Sequence, residues 1–130
     1  MNKVIKISSS ILMGLSVLGI ASVSLMAFNS PQSVMDLVQV KLENTDAMSS
    51  IRGVYGGAGI AILMVMIYLW RNNLKQGMLF LAVFWGSYAL SRLLTIMVDG
   101  ALGAFGSQWI VTETVLASAA LLLYFKSTEA

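Results

Sequence analysis

The stretch QGMLFLAVFWGSYALSRLLTIMV, running from Gln76 to Val98, contains a single charged residue, Arg92. About 20 apolar residues in a row match the thickness of a bilayer's hydrocarbon core, so this segment reads as a membrane-spanning helix. Three further runs share that character, at about 7–28, 48–70 and 107–125. The whole chain of 130 residues is 58% apolar and 11% charged. Soluble domains are about 45–50% apolar and about 25% charged, so the composition as a whole points to a membrane protein. The fold class expected is all-α, a four-span antiparallel transmembrane helix bundle. Four spans with short connections leave no room for a second domain, so residues 1–130 are expected to form one membrane domain.

Several chemistries are excluded by composition. The chain has no cysteine and no histidine. Disulfides and thiolate metal sites are absent, and so are most other metal sites, histidine-based acid–base catalysis and histidine-activated nucleophiles. A haem reading loses its usual axial ligand, so the nine methionines are read as packing residues. Asp99 is the one aspartate near the end of the third span, which rules out an intramembrane pair of aspartates. The net charge of +2 forms no basic patch, so nucleic acid is not an expected partner. No cofactor and no metal are expected, and no catalytic set is visible.

Between the spans, Lys3 and Lys6 precede the first run in the manner of a signal-peptide n-region. The run has span length, however, and the best cleavage candidate, Gly19-Ile20-Ala21, lies inside it, so it reads as a retained span. Residues 29–47 form the one sizeable extramembrane segment. Ser30-Pro31 is a helix start, with proline at the first helical position. Beyond it, Val38, Val40 and Leu42 alternate with Gln39 and Lys41 in a strand-like pattern, so a short helix and an extended stretch both remain open. Asn44-Thr45-Asp46 supplies an N-cap for the second span. Arg71-Asn72-Asn73-Leu74-Lys75 is a tight polar turn, and residues 100–106 form a glycine-containing connection.

Charge sets the orientation. With both termini in the cytoplasm, Lys3, Lys6, Arg71, Lys75 and Lys126 are inside, and Lys41 alone lies in an outer loop. That is a strong positive-inside bias for so small a protein. Tyr68, Trp70, Trp109 and Tyr124 fall near span ends, where amphipathic rings favour the headgroup level.

Against this apolar background Arg52, Arg92, Asp99 and Glu113 stand out, all toward the outer side. A charge at the centre of a lipid-facing helix costs roughly 2.5–3.5 kcal/mol on insertion scales, so such residues generally face a partner or a cavity. Arg92 and Glu113 are each about six residues from the outer ends of their spans, roughly 9 Å below the interface, and are expected to form a direct ion pair. Arg52 and Asp99 sit near the rim. Trp85, Tyr88, Arg92 and Asp99 share one helix face at i, i+3, i+7 and i+14, with Ser91 and Thr95 beside it. Tyr55, three residues after Arg52, is expected to line the same pocket. Such a cluster can be an ion-pair network that fixes helix register, a site for an anionic or zwitterionic ligand or headgroup, or part of a proton or ion path. Nothing polar continues it through the inner halves of the spans, which weighs against a path. Gly53, Gly56 and Gly57 belong to the run Gly53-Val54-Tyr55-Gly56-Gly57-Ala58-Gly59, and the pair Gly53/Gly57 is a small-xxx-small motif that lets helices approach closely.

Taken in order, Arg52-Gly53-Val54-Tyr55-Gly56-Gly57, Ser91-Arg92, Asp99-Gly100 and Glu113 resemble the pattern of a bacterial family of small four-helix membrane proteins known only as a domain of unknown function. The likeness covers about residues 44–125, and Ala101-Leu102 stand where that pattern has a nearby proline. More distantly the architecture is similar to that of DoxX-like four-helix proteins. The resemblance implies the fold and picks out the same polar residues, but it implies no activity, substrate or cofactor. The expected function is that of a non-enzymatic structural or accessory component of a membrane assembly. Its partners would be the lipid bilayer and another membrane protein or a second copy of the chain. The alternative is binding or transport of a small anionic or zwitterionic ligand, or a lipid headgroup, at the polar cluster.

Overall fold

In the computed structural model, which describes residues 1–129, the chain forms five helices and no strand among those residues. These are α1 (Lys3–Asn29), α2 (Pro31–Asp36), α3 (Thr45–Asn72), α4 (Leu74–Val98) and α5 (Ala104–Glu129). Helices α1, α3, α4 and α5 are each long and apolar enough to cross a membrane. At about 1.5 Å per residue they run roughly 38–42 Å, longer than a hydrocarbon core of about 30 Å. The protein is an all-α multi-pass membrane protein built as a four-span helical bundle.

The helices begin earlier than the apolar runs suggest: Lys3 rather than 7, Thr45 rather than 48, Leu74 rather than 76, and Ala104 rather than 107. Hydropathy registers only the part of a helix that lies in hydrocarbon. Polar caps at Asn2, Asn44 and Asn73 start three of the helices ahead of the apolar runs. The Asn44 side chain accepts a hydrogen bond from the Ala47 amide at 2.7 Å, and the Asn73 side chain one from the Gln76 amide at 3.2 Å. Each satisfies one of the amides that the first turn leaves unpaired. Asn73 alone separates α3 from α4, so the polar turn is even tighter than expected. At the far end of α4, the amides of Asp99 and Gly100 both bond to the Thr95 carbonyl. Gly100 takes φ +115°, a conformation open to glycine and strained for any other residue.

The chain divides into two compact units. The first comprises Met1–Gly14 and the chain from Leu69 onward. Its frame is the antiparallel hairpin of α4 and α5, packed together along their length. Met13, Met78, Leu81 and Ala120 are wholly buried here, and Trp85 nearly so. Small residues set the spacing. A Cβ on Gly77 would come within 2.7 Å of the Met13 methyl, and one on Gly14 within 3.1 Å of the Trp70 ring.

The second unit, Leu15–Tyr68, settles the ambiguous segment between the first two spans. Both expectations for it hold, one after the other. Pro31–Asp36 is helical with Pro31 at its start, and after a turn through Gln39 (φ 59°) the chain runs back without regular structure. The returning strand-like residues find their backbone partner in a side chain. Gln32 donates to the Val40 carbonyl and to Asp36, and its oxygen accepts from the Leu42 amide. That pins Leu42 beside Ala27, Val34 and Met35 in a small buried core, against which Met26, Ala47, Ile51 and Tyr55 pack.

Within α3 the segment Arg52–Gly57 winds as a π-helix, with the Ala58 amide bonding to the Gly53 carbonyl. Here Gly56, one of the three glycines expected to pack, and Gly59 form the contact face. A Cβ on Gly56 would meet the Phe28 ring at 3.1 Å, and one on Gly59 the Ser24 hydroxyl at 3.0 Å. Gly53 and Gly57 have nothing within 4 Å. Four glycines within seven residues offer small pairs on more than one side of the helix. Spacing alone does not say which side meets Phe28 and Ser24.

Candidate functional site

Arg92 and Glu113 meet across the α4–α5 hairpin. Arg92 Nε lies 2.8 Å from one Glu113 oxygen and 3.1 Å from the other, and Nη2 donates to the latter at 3.0 Å. Both carboxylate oxygens are therefore engaged. The Glu113 side chain is 2% exposed and that of Arg92 24%. Because α5 starts at Ala104, Glu113 lies nine residues into its helix and Arg92 six from the end of α4. In an antiparallel pair each Cβ leans toward its own helix N-terminus, so the two side chains lean toward each other and close that difference in level. This is the only salt bridge among the described residues.

The guanidinium is also 5.8 Å from the centre of the Phe105 ring, within the range of a cation–π contact. Phe105 is in the first turn of α5 and Glu113 eight residues deeper, about 12 Å along the axis. The cation is thus held between an aromatic face near the loop and a carboxylate below it. Sequence inspection missed Phe105, although its spacing from Trp109 and Glu113 (i, i+4, i+8) places all three on one helix face.

The aromatic residues on the Arg92 face make ring contacts. Tyr88 makes edge-on ring contact with Phe84 at 5.2 Å and a tilted one with Trp85 at 6.1 Å. The Ser87, Ser91 and Thr95 hydroxyls bond back to the carbonyls four residues earlier, so Ser91 and Thr95 do not extend the polar network. Asp99, at the end of α4, is exposed and forms no salt bridge among the described residues.

Arg52 and Tyr55 belong to the second unit. Arg52 Nε donates to the Phe28 carbonyl at 3.3 Å, placing a cation on the last turn of α1, where the helix dipole favours one. Tyr55 packs on the Ala27–Leu42 core instead. Arg52 opens the π turn, and Tyr55 lies within it. The Ser24 hydroxyl, buried, donates to the Gly56 carbonyl in that turn at 2.8 Å. Neither Ser24 nor Gln32 was singled out by sequence pattern, because each acts through a backbone group that no side-chain motif records.

In the same unit Gln32, Asp36, Gln39, Val40 and Lys41 line an open cavity of about 460 Å³. No three of the acidic residues cluster as metal ligands among the described residues.

No curated protein and no solved structure matches the chain. A family model described as a domain of unknown function, DUF4345, matches residues 8–124, a range that takes in α2, α3, α4, almost all of α1 and most of α5. The chain, with its four spans and its Arg92–Glu113 clamp, belongs to the DUF4345 family.

Proposed function

We propose that the protein is a non-enzymatic structural or accessory component of a membrane assembly, resident in a bacterial inner membrane with both termini in the cytoplasm. The observation that carries this is the closed state of its one buried ion pair. Glu113 has both oxygens on Arg92 and almost no exposed surface, so a reacting group has little access to it. Buried pairs of this kind fix register between helices rather than perform chemistry. The charge distribution supports the orientation. Lys3, Lys6, Arg71, Lys75 and Lys126 occupy the ends assigned to the cytoplasm, and the Lys75 ammonium lies 5.6 Å from the Tyr124 ring centre, as in a belt at one interface. The ordered residues Arg52-Gly53-Val54-Tyr55-Gly56-Gly57, Arg92, Asp99-Gly100 and Glu113 support placing the chain with bacterial four-helix relatives, and more distantly with DoxX-like proteins.

Cross-linking in native membranes tests the assembly. The expected product is a discrete species heavier than the 14.0 kDa chain, either with a second copy or with another membrane protein. A chain that stays monomeric at every cross-linker concentration overturns the proposal. Protease protection of tags at the two termini tests the orientation, with both expected to be shielded from the outside.

A further inference from the structure

Two charged groups at the loop end of the α4–α5 hairpin are left with unmet electrostatic demands. The first is Arg92. Glu113 occupies Nε and one donor of Nη2, while the Nη1 donors find no acceptor among the described residues. The side chain keeps 24% of its surface exposed. Unpaired donors are costly wherever the surroundings offer no acceptor, and hydrocarbon offers none. The second is Asp99. It caps the C-terminal end of α4, where the helix dipole is negative, and no basic residue lies in the last turn to offset it. The two stand seven residues apart on one face, about 10 Å along the axis, with Asp99 the nearer to the surface. Between and around them Leu93, Leu94, Met97 and Val98 are exposed and apolar.

We infer that this end of the hairpin binds a phospholipid headgroup carrying a primary ammonium, with its phosphate on the free edge of Arg92 and its ammonium on Asp99. Each half of the headgroup meets one of the two demands. A guanidinium edge suits phosphate oxygens. A primary ammonium brings N–H donors to a carboxylate that otherwise sits at the wrong end of a helix dipole. Charge counting favours the zwitterion over a simple anion. Arg92 and Glu113 already cancel, so a lone phosphate would add negative charge beside Asp99, whereas a headgroup with an ammonium adds none. The acyl chains have the exposed apolar side chains of the last turns of α4 to lie against. The inference rests on the Arg92–Glu113 pair being a closed clamp, since Glu113 engages Nε and Nη2 and leaves the Nη1 donors over.

The test is a lipid titration of the detergent-solubilised protein followed by native mass spectrometry, using phosphatidylethanolamine, phosphatidylcholine and phosphatidylglycerol. Phosphatidylethanolamine is expected to bind about threefold or more tighter than phosphatidylcholine, whose quaternary ammonium has no N–H to donate. Asp99→Asn, at an exposed position, is expected to erase that preference and to leave the unfolding transition where it is or raise it slightly, since the clash with the helix dipole is relieved. Arg92→Lys, which keeps a cation for Glu113 but removes the fork, is expected to weaken all three lipids. Equal binding of the first two lipids by the wild type, or a preference that survives in Asp99→Asn, overturns the inference. So does binding of soluble phosphoethanolamine with no binding of the lipid, which would transfer the site to a free compound. Failure of the clamp itself reads differently. It would appear as additive stability losses when Arg92 and Glu113 are replaced, whatever the lipids do.

Discussion

Replacing Arg92 and Glu113 with leucine, singly and together, separates what the pair contributes from what each charge costs. Arg92→Leu strands a carboxylate that is 2% exposed and deprives it of all three donated hydrogen bonds. Removing one partner of a buried pair costs about 3–5 kcal/mol, and this variant should fall in that range. Glu113→Leu should cost less, about 1–3 kcal/mol. The freed guanidinium is already 24% exposed and stacked on Phe105, so it can turn toward the interface as long cationic side chains do. The double variant leaves no charge behind and puts apolar side chains of similar reach between two helices in lipid. It should lie within about 2 kcal/mol of the wild type, and on either side of it. The magnitude of the coupling energy of the cycle is then about 4–8 kcal/mol for a neutral double variant, and still about 2 kcal/mol at the least favourable end, far above the few tenths expected of independent sites. Reversible unfolding in mixed micelles, followed through the fluorescence of Trp70, Trp85 and Trp109, provides the four free energies. Additive losses would refute the account of the pair as a closed clamp. A Glu113→Leu cost larger than that of Arg92→Leu would refute the assignment of Glu113 as the member with no route to water.

The second unit supports three further expectations in its glycines and serines, with one matching case in the first. Gly53→Ala should be neutral or stabilising by up to about 1 kcal/mol, since nothing lies within 4 Å of the new methyl group. Gly56→Ala should instead destabilise by about 1–3 kcal/mol because of the Phe28 ring at 3.1 Å, and the same unfolding assay reads both. Ser24→Ala removes the hydroxyl bonded to the Gly56 carbonyl, should cost about 1–3 kcal/mol, and should speed amide hydrogen exchange between residues 52 and 58. Unchanged exchange there would show that the π turn holds without Ser24. Ser9→Ala in the first unit should raise the melting temperature, because the Ser9 hydroxyl is wholly buried with no hydrogen-bond partner and its removal relieves a desolvation cost of about 1 kcal/mol; a lowered melting temperature would count against that.

Legibility from sequence followed the physics of each feature. The spans were plain because hydrocarbon thickness imposes a length that composition reports directly. The meeting of Arg92 and Glu113 followed from rise per residue and the cost of an isolated charge, two quantities that need no coordinates. Helix entry at Pro31 and capping at Asn44 were readable because both act within four residues of chain. What escaped depended on contacts between distant segments. The side of α3 that packs was decided by Phe28 and Ser24, which stand more than thirty residues away in sequence from Gly59, so a local glycine spacing could not select it. The π turn escaped for a related reason. Winding wider than the α-helix is tolerated where glycine lowers its steric cost and where outside groups take up its carbonyls, as Ser24 does. The outer segment was ambiguous because its two halves obey different rules: one follows helical period, and the other is shaped by Gln32 reaching back to residues 40 and 42.

A hairpin built only to hold α4 against α5 would not be expected to carry these charges. Leucines in place of Arg92 and Glu113 would pack the same gap without desolvating ions, and a cation in place of Asp99 would suit the end of α4. Each departure has a local cost, and the two fall on one helix face at one end of the hairpin. Register specificity accounts for the buried pair, because a carboxylate with one reachable cation fixes how far α5 can slide along α4. It does not account for Asp99, which touches no cation, or for the donors of Arg92 that Glu113 leaves over. Those two residues have in common that their unmet demands face outward. Groups outside the chain are therefore what would offset the cost, and a phospholipid headgroup reached from the interface carries phosphate oxygens and ammonium hydrogens in one molecule.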